Sequence, residues 1–264
     1  MVPKKPDRRG ARRGQREVLN GIHPVREALR ARRRTLHELR VRSGTLRAEV
    51  AELVTLAEAA GVPVRRVAAE LLAADDPAER SGAGVELAVG PLPEITLESL
   101  RAAAESPATL VALDGVEDPQ NLGAIARVAE AAGVAGLLLT HRRSPPLSPA
   151  VARASAGAIE WLPTARVPNL PRALNYLKKQ GFWVFGSDPE ASDELFGLPD
   201  RLLTGDRVVV LGSEGRGLRR GVDQVLDHRV KIPMGGRVGS LNVSTAAAVM
   251  LFEFQRRSRL ATSG

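Results

Sequence analysis

Three short segments carry polar and glycine residues whose types and spacing suit chemistry on a bound ligand. The first is Asp114-Gly115-Val116-Glu117-Asp118-Pro119-Gln120-Asn121-Leu122-Gly123-Ala124-Ile125-Ala126-Arg127. It turns at Pro119 and enters a helical pattern in which Asn121 can serve as N-cap and Arg127 follows in the second turn. Taken alone, the pair also reads as a cap and a surface cation. The second, Val208-Val209-Val210-Leu211-Gly212-Ser213-Glu214-Gly215-Arg216-Gly217-Leu218, runs from an apolar stretch into a glycine-rich turn with one carboxylate. Glycines there let the backbone approach a ligand and leave its N–H and C=O groups free, although many turns after strands carry glycine for the turn alone. The third, Ile232-Pro233-Met234-Gly235-Gly236-Arg237-Val238-Gly239-Ser240-Leu241-Asn242-Val243-Ser244, brings Ser240 and Asn242 to the start of a C-terminal helix. The unpaired N–H groups and positive dipole end of a helix lie there. Capping by Asn242 or Ser244 accounts for one of these polar residues but not for the set.

Other chemistries are not written in the chain. It has no G-x-G-x-x-G after its first strand, no P-loop and no G-x-S-x-G elbow. Its four histidines (His23, His37, His141, His228) have no ligand spacing, so no metal is expected. The absence of cysteine excludes disulfides, a thiolate nucleophile and Cys-type zinc, which fits a reducing cytosol. No apolar run approaches the roughly 20 residues of a membrane helix, and no apolar region follows the basic N-terminus as in a secretory signal. The expectation is a soluble cytosolic protein without membrane contact.

The 264 residues carry a formal charge of +8, unevenly placed. Residues 1–34 hold 12 Lys+Arg against three acids, a net +9, so the rest of the chain sums to −1. Such an arm is the electrostatic footprint of a polyanion, and nucleic acid is the leading partner. A solvated arm that only aids solubility has the same composition. Arginine supplies 33 of the 38 bases, which permits bidentate phosphate contact, though a genomic composition bias has the same appearance.

The elements that must position the three segments follow from apolar periodicity. Residues 1–16 read as a disordered basic arm. A small α/β unit over 17–90 is expected to contain helices Pro24–Arg33 and Leu46–Ala60, strands Leu36–Val41, Val62–Val67 and Val85–Val89, a short helix Ala68–Ala74 and a polar break at Asp75–Gly84. Residues 91–107 read as a linker with one short helix, Leu97–Ala104. From about 108 to 260, strands Leu110–Leu113, Leu137–Thr140, Trp183–Gly186, Val208–Leu211 and Val230–Pro233 are apolar on both faces. They alternate with helices Asn121–Ala132, Pro149–Ala156, Leu170–Gln180 and Val243–Arg257. This pattern predicts an α/β domain with a mainly parallel sheet covered on both sides, whose ligands sit at the strands' C-terminal ends.

Together the three segments are far more specific than any alone. In order and spacing they resemble the SpoU (TrmH-like) branch of the SPOUT RNA methyltransferases: N-L-G-A-I-x-R, then L-G-S-E-G-x-G-L, then I-P-M-x-G-x-x-x-S-L-N-V-S with a helix ending in Leu251-Phe252-Glu253. The resemblance covers essentially the whole C-terminal domain. The start Gly21-Ile22-His23-Pro24-Val25-Arg26-Glu27-Ala28-Leu29 resembles the N-terminal domain of those members that methylate a guanosine 2′-oxygen in the peptidyl-transferase region of 23S rRNA. The resemblance implies a SPOUT α/β domain with a trefoil knot, S-adenosyl-L-methionine bound among the knot's loops, a homodimer, and a small RNA-binding domain ahead of it. Packing rules alone would not suggest a knot.

By position, the resemblance implies Gly212, Ile232 and Leu241 as cofactor contacts. It further implies Glu214, Ser240 and Asn242 as residues shaping the pocket, with Asn121 and Arg127 facing the ribose. Family mechanisms give proton removal to the residue that is here Arg127. A guanidinium pKa above about 12 makes it a better alkoxide stabiliser and phosphate clamp than a free base. Three alternatives stay open at this point: a tRNA or different rRNA site, a catalytically silent RNA-binding assembly factor, and a site for another nucleotide.

Overall fold

The computed structural model describes residues 16–72, 84–213 and 215–262. The arm expected over 1–16 lies outside them apart from Arg16, as does most of the polar break expected at 75–84.

The N-terminal sheet has the order β1-β4-β2-β3, from strands β1 (Glu17–Asn20), β2 (Leu36–Arg42), β3 (Val64–Val67) and β4 (Val85–Val89). β1 and β2 run antiparallel to β4, and β3 runs parallel to β2. Leu19, Leu87 and Leu39 face one another across three strands. They are buried with Val25 and Leu29 of α1 (Ile22–Ala31) and Val50 and Leu53 of α2 (Ala48–Ala59). Each fully buried leucine contributes about 1.5–3 kcal/mol. Gly61, just past α2, takes φ +68°, which ends the helix as expected. β1 was not anticipated: four residues that include Glu17 and Asn20 carry no period-2 signal, and pairing with β4 makes them a strand. The helix expected at Ala68–Ala74 is only a 3-10 turn over Ala69–Leu71 among the described residues.

The second sheet has seven strands in the order β7-β6-β5-β10-β8-β11-β9, with every pair parallel. They are β5 (Thr109–Asp114), β6 (Gly136–Thr140), β7 (Thr164–Val167), β8 (Trp183–Ser187), β9 (Asp193–Glu194), β10 (Arg207–Gly212) and β11 (His228–Lys231). Alternate residues feed two cores. Val111, Leu113, Val209 and Leu211 pack with α4 (Pro119–Ala131) and α8 (Val243–Thr262), on the side that also holds the small domain's core. Leu110, Ala112, Val208 and Val210 pack with α3 (Leu97–Ala103) and α6 (Leu170–Lys179). Burial on both faces is why these strands read as unbroken apolar runs. Short helices α5 (Pro149–Ala154) and α7 (Arg220–Asp223) complete the set. The sequence pattern does not mark β7, four residues of which two are polar, or β9, only Asp193–Glu194. β11 ends at Lys231, two residues before the expected Pro233, so Ile232 and Pro233 belong to the following loop.

The small domain is joined to the large one by a buried ion pair. Arg34, at 0% side-chain exposure, donates from Nε and Nη2 to both carboxylate oxygens of Glu160, also at 0%, at 3.0 and 2.9 Å. Arg33 donates to the backbone oxygens of Glu160 and Leu162 at 3.1 and 2.8 Å. Trp161 Nε1 donates to Glu27 at 2.9 Å.

Candidate active site

The three segments converge at the C-terminal ends of β5 and β10. These neighbours are in register from Arg207↔Thr109 to Gly212↔Asp114. From β5 the sheet builds outward through β6 to β7; from β10 it builds the other way through β8 to β11. Such a reversal leaves a crevice between adjacent loops. A cavity of about 420 Å³ occupies it, lined among others by Asp114, Asn121, Arg143, Ser213, Arg216 and Val243.

The loop after β5 leads into α4. Asp118, not Asn121, caps this helix, accepting from the Gln120 amide at 2.9 Å, with Pro119 in the first turn. The earlier start puts Asn121 inside the first turn and Arg127 in the third. Pro119 explains the shift, since its fixed φ suits the first helical position and needs no amide partner. Asn121 instead reaches across to the third segment, where its Oδ1 accepts from Asn242 Nδ2 at 3.1 Å. Asn242 turns its own Oδ1 to the Ser244 amide and hydroxyl at 2.8 and 2.6 Å, capping α8 as expected. One asparagine thus ends a loop and holds the opposite helix.

The second segment folds back on itself. Ser213 and Gly217 exchange backbone hydrogen bonds of 3.2 and 3.0 Å. A Cβ on Gly212 would lie 2.4 Å from the Gly217 carbonyl carbon, so only glycine fits the turn. Asp114, 1% exposed, ties the first and second segments together: Oδ2 accepts from the Arg219 amide at 2.8 Å and Oδ1 from its Nε at 2.6 Å.

The structure therefore brings together Asn121, Asn242 and the Gly212 turn. Ser240 and Leu241 lead directly into Asn242, with Ser240 exposed and Leu241 half-buried. Ile232 is half-buried against the core shared by α4 and α8. Arg127 lies on the exposed side of α4, outside the residues lining the cavity. Glu214 lies outside the described residues. Asp114, Arg143, Arg216 and Arg219 were not singled out from sequence. The signal for Asp114 was a single acid ending an apolar strand, and for the arginines their place after strands β6 and β10.

Comparison with known proteins decides the family. Residues 108–252 match the SpoU rRNA methylase family, and residues 18–74 match the RNA 2′-O ribose methyltransferase substrate-binding family. The chain belongs to the SpoU rRNA methylase family. As a SpoU protein it is an S-adenosylmethionine-dependent RNA 2′-O-ribose methyltransferase. A relative from Pseudomonas putida, the 23S rRNA (guanosine-2′-O-)-methyltransferase RlmB, is 36% identical over 93% of this chain and 98% of its own. The SpoU methyltransferase AviRb from Streptomyces viridochromogenes, solved with AdoMet, shares the fold at TM-score 0.78 and 23% identity, covering 98% of this chain and 95% of that one. The A. aeolicus TrmH/SpoU tRNA modifying enzyme aligns at TM-score 0.53 and 26% identity, over 63% of this SpoU chain and 84% of its own.

Proposed function

We propose that this SpoU protein methylates the ribose 2′-hydroxyl of a guanosine in the peptidyl-transferase region of 23S rRNA. The observation that carries the site is the Asn121–Asn242 contact, which closes the first and third segments over one cavity at the β5/β10 reversal. The choice of substrate is supported by end-to-end similarity to a 23S rRNA guanosine enzyme, whereas the tRNA enzyme aligns over 63% of the chain.

The site suits S-adenosylmethionine. A nucleoside cofactor needs an apolar slot edged by free backbone donors and acceptors. Ile232 and Leu241 offer the apolar contacts, and the Gly212 turn, too tight for any Cβ, brings backbone to the crevice. The bound cofactor supplies a sulfonium methyl to an in-line attacking oxygen. A ribose hydroxyl is a weak nucleophile at neutral pH, so its proton must leave to solvent or a base while the developing alkoxide is stabilised. Arg127 serves as that stabiliser, Asn121 and Asn242 orient the hydroxyl, and Ser240 and Glu214 shape the pocket.

The working unit in this reading is a homodimer whose trefoil-knotted loops face the partner copy. Its support is exposed apolar surface on the third segment and α8: Val238 is 70%, Phe252 44% and Met234 39% exposed. Arg127, outward on α4, then acts across that interface. The chain divides into a basic arm (1–16), an RNA-binding domain (17–90), a linker (91–107) and a catalytic domain (108–260), and works in the cytoplasm. No helix among the described residues is long and apolar enough to cross a membrane.

The test is methyl transfer from labelled S-adenosylmethionine to 23S rRNA, 16S rRNA and tRNA, with 2′-O-methyl mapping of the product. A label confined to a 23S guanosine is expected. Label in tRNA or 16S rRNA would overturn the substrate, and no label in any RNA would overturn the reading as a whole.

A further inference from the structure

The cavity wall carries two guanidinium groups that the proposed chemistry does not use. Arg143 stands in the loop after β6 and Arg216 in the turn after β10, and both line the cavity that Asn121 also lines. Both are exposed, and among the described residues neither makes a hydrogen bond or ion pair. Arg219, on the same wall, differs in being neutralised by Asp114. Two other carboxylates line the cavity: Asp118, engaged with the Gln120 amide, and Glu117, which lies beyond ion-pair distance of either arginine.

The loop that presents Arg143 is anchored on both sides of it. The Thr140 hydroxyl donates to the Arg142 oxygen, and the Thr140 amide donates to Ser144 Oγ at 3.3 Å. Arg166 spans the loop, donating to the oxygens of Thr140 and Pro145 at 2.8 and 3.0 Å, and is itself held by Glu94 at 2.9 Å. Within this frame Arg143 takes φ +61°, where glycine or asparagine sits at lower cost. A long cationic side chain held in an unfavourable backbone state over a cavity points to a ligand. Two planar forks with no counter-charge among the described residues match the oxygens of a phosphodiester.

We propose that Arg143 and Arg216 clamp a backbone phosphate of the RNA beside the nucleotide whose ribose enters the cavity. The proposal rests on the reading of this cavity as the methyl-transfer site. Arg143→Gly removes the cation and relaxes the backbone, and Arg216→Ala removes the second fork. Both are compared with wild type for kcat and KM toward 23S rRNA, cofactor affinity and melting temperature across a salt series. Each substitution is expected to raise the RNA KM roughly tenfold and to lower the slope of log affinity against log salt by about one, with cofactor affinity and melting temperature held. Arg143→Lys, which restores charge without the fork, should recover part of the loss. An unchanged KM and salt slope in an active wild-type background would overturn the clamp alone, as would a fall in kcat at constant KM. Should wild type transfer no methyl, the functional reading fails instead. Fluorescence anisotropy with a labelled 23S fragment then still scores the clamp by the same loss of affinity.

Discussion

Asn242 shows how few atoms hold the site. Its carbonyl caps α8 through Ser244 while its amide reaches Asn121 on α4, so the helix start and the cavity wall share one side chain. Arg127 differs: it stands on the exposed side of α4, and in the proposed reading it contributes charge. Replacing Arg127 with Ala should therefore abolish methyl transfer while leaving cofactor affinity within about twofold, read by labelled transfer and by calorimetric titration. Gly212 carries the opposite expectation. An added methyl would meet the Gly217 backbone at 2.4 Å, which cannot swing aside as a side chain would. Gly212→Ala should weaken cofactor binding and cost about 1–3 kcal/mol of stability, measured by titration and urea unfolding.

At the scale of elements, α8 lines the cavity with its first residue, Val243, and anchors the sheet's far edge. Glu253 accepts from Arg256 at 2.7 and 2.8 Å and from Arg257 at 3.0 Å. Arg257 continues to Asp200 and to the Phe196 oxygen, which ties the segment after β9 to the helix. The hydrogen bond from Arg256, followed by that from Arg257, holds the Glu253 carboxyl below its usual value. A depressed acid contributes stability that is present above its unfolded pKa of about 4.5 and is lost as pH falls through the folded value. Glu253→Gln should lower stability by about 1 kcal/mol at neutral pH, and the gap from wild type should close in acid as pH falls through the folded value, as followed by thermal melts. Sequence patterns located α8 and most core strands because their periodicity is their own. They did not reveal β1, β7 or β9, whose residues are polar or few and become strands only beside a partner.

Across the whole molecule, Arg34 and Glu160 fasten the small domain to the catalytic sheet from positions 126 residues apart. Burial pushes the Glu160 carboxyl up, against the pull of Arg34. For an acid raised on folding, stability is fullest below the unfolded pKa and declines as pH rises through the folded value, so at neutral pH this charge is tolerated only because Arg34 meets it. Arg34→Met should cost about 3–5 kcal/mol, whereas Arg34→Met with Glu160→Met should lose clearly less, both by equilibrium unfolding. An equal loss in both would show that the pair does not carry the junction. A fixed junction also has a consequence for activity, since RNA held by the small domain meets the cavity at a set distance.

The amino-acid sequence by itself determined the α/β class, the parallel sheet and the three segments, because apolar period and glycine–asparagine spacing are local properties that survive without a partner. Family resemblance then drew methyl transfer from those segments, and the match over 108–252 bears it out. Only the tertiary structure decided that Asn121 bonds Asn242 instead of capping its own helix, and that Asp114 is spent on Arg219. It also decided that Arg143 and Arg216 line the cavity with no ion-pair partner among the described residues. Each is a relation between residues far apart in the chain, 121 positions for the asparagines and 105 for Asp114 and Arg219. Distances of that kind are set by how strands β5 and β10 lie side by side, which no window of sequence contains.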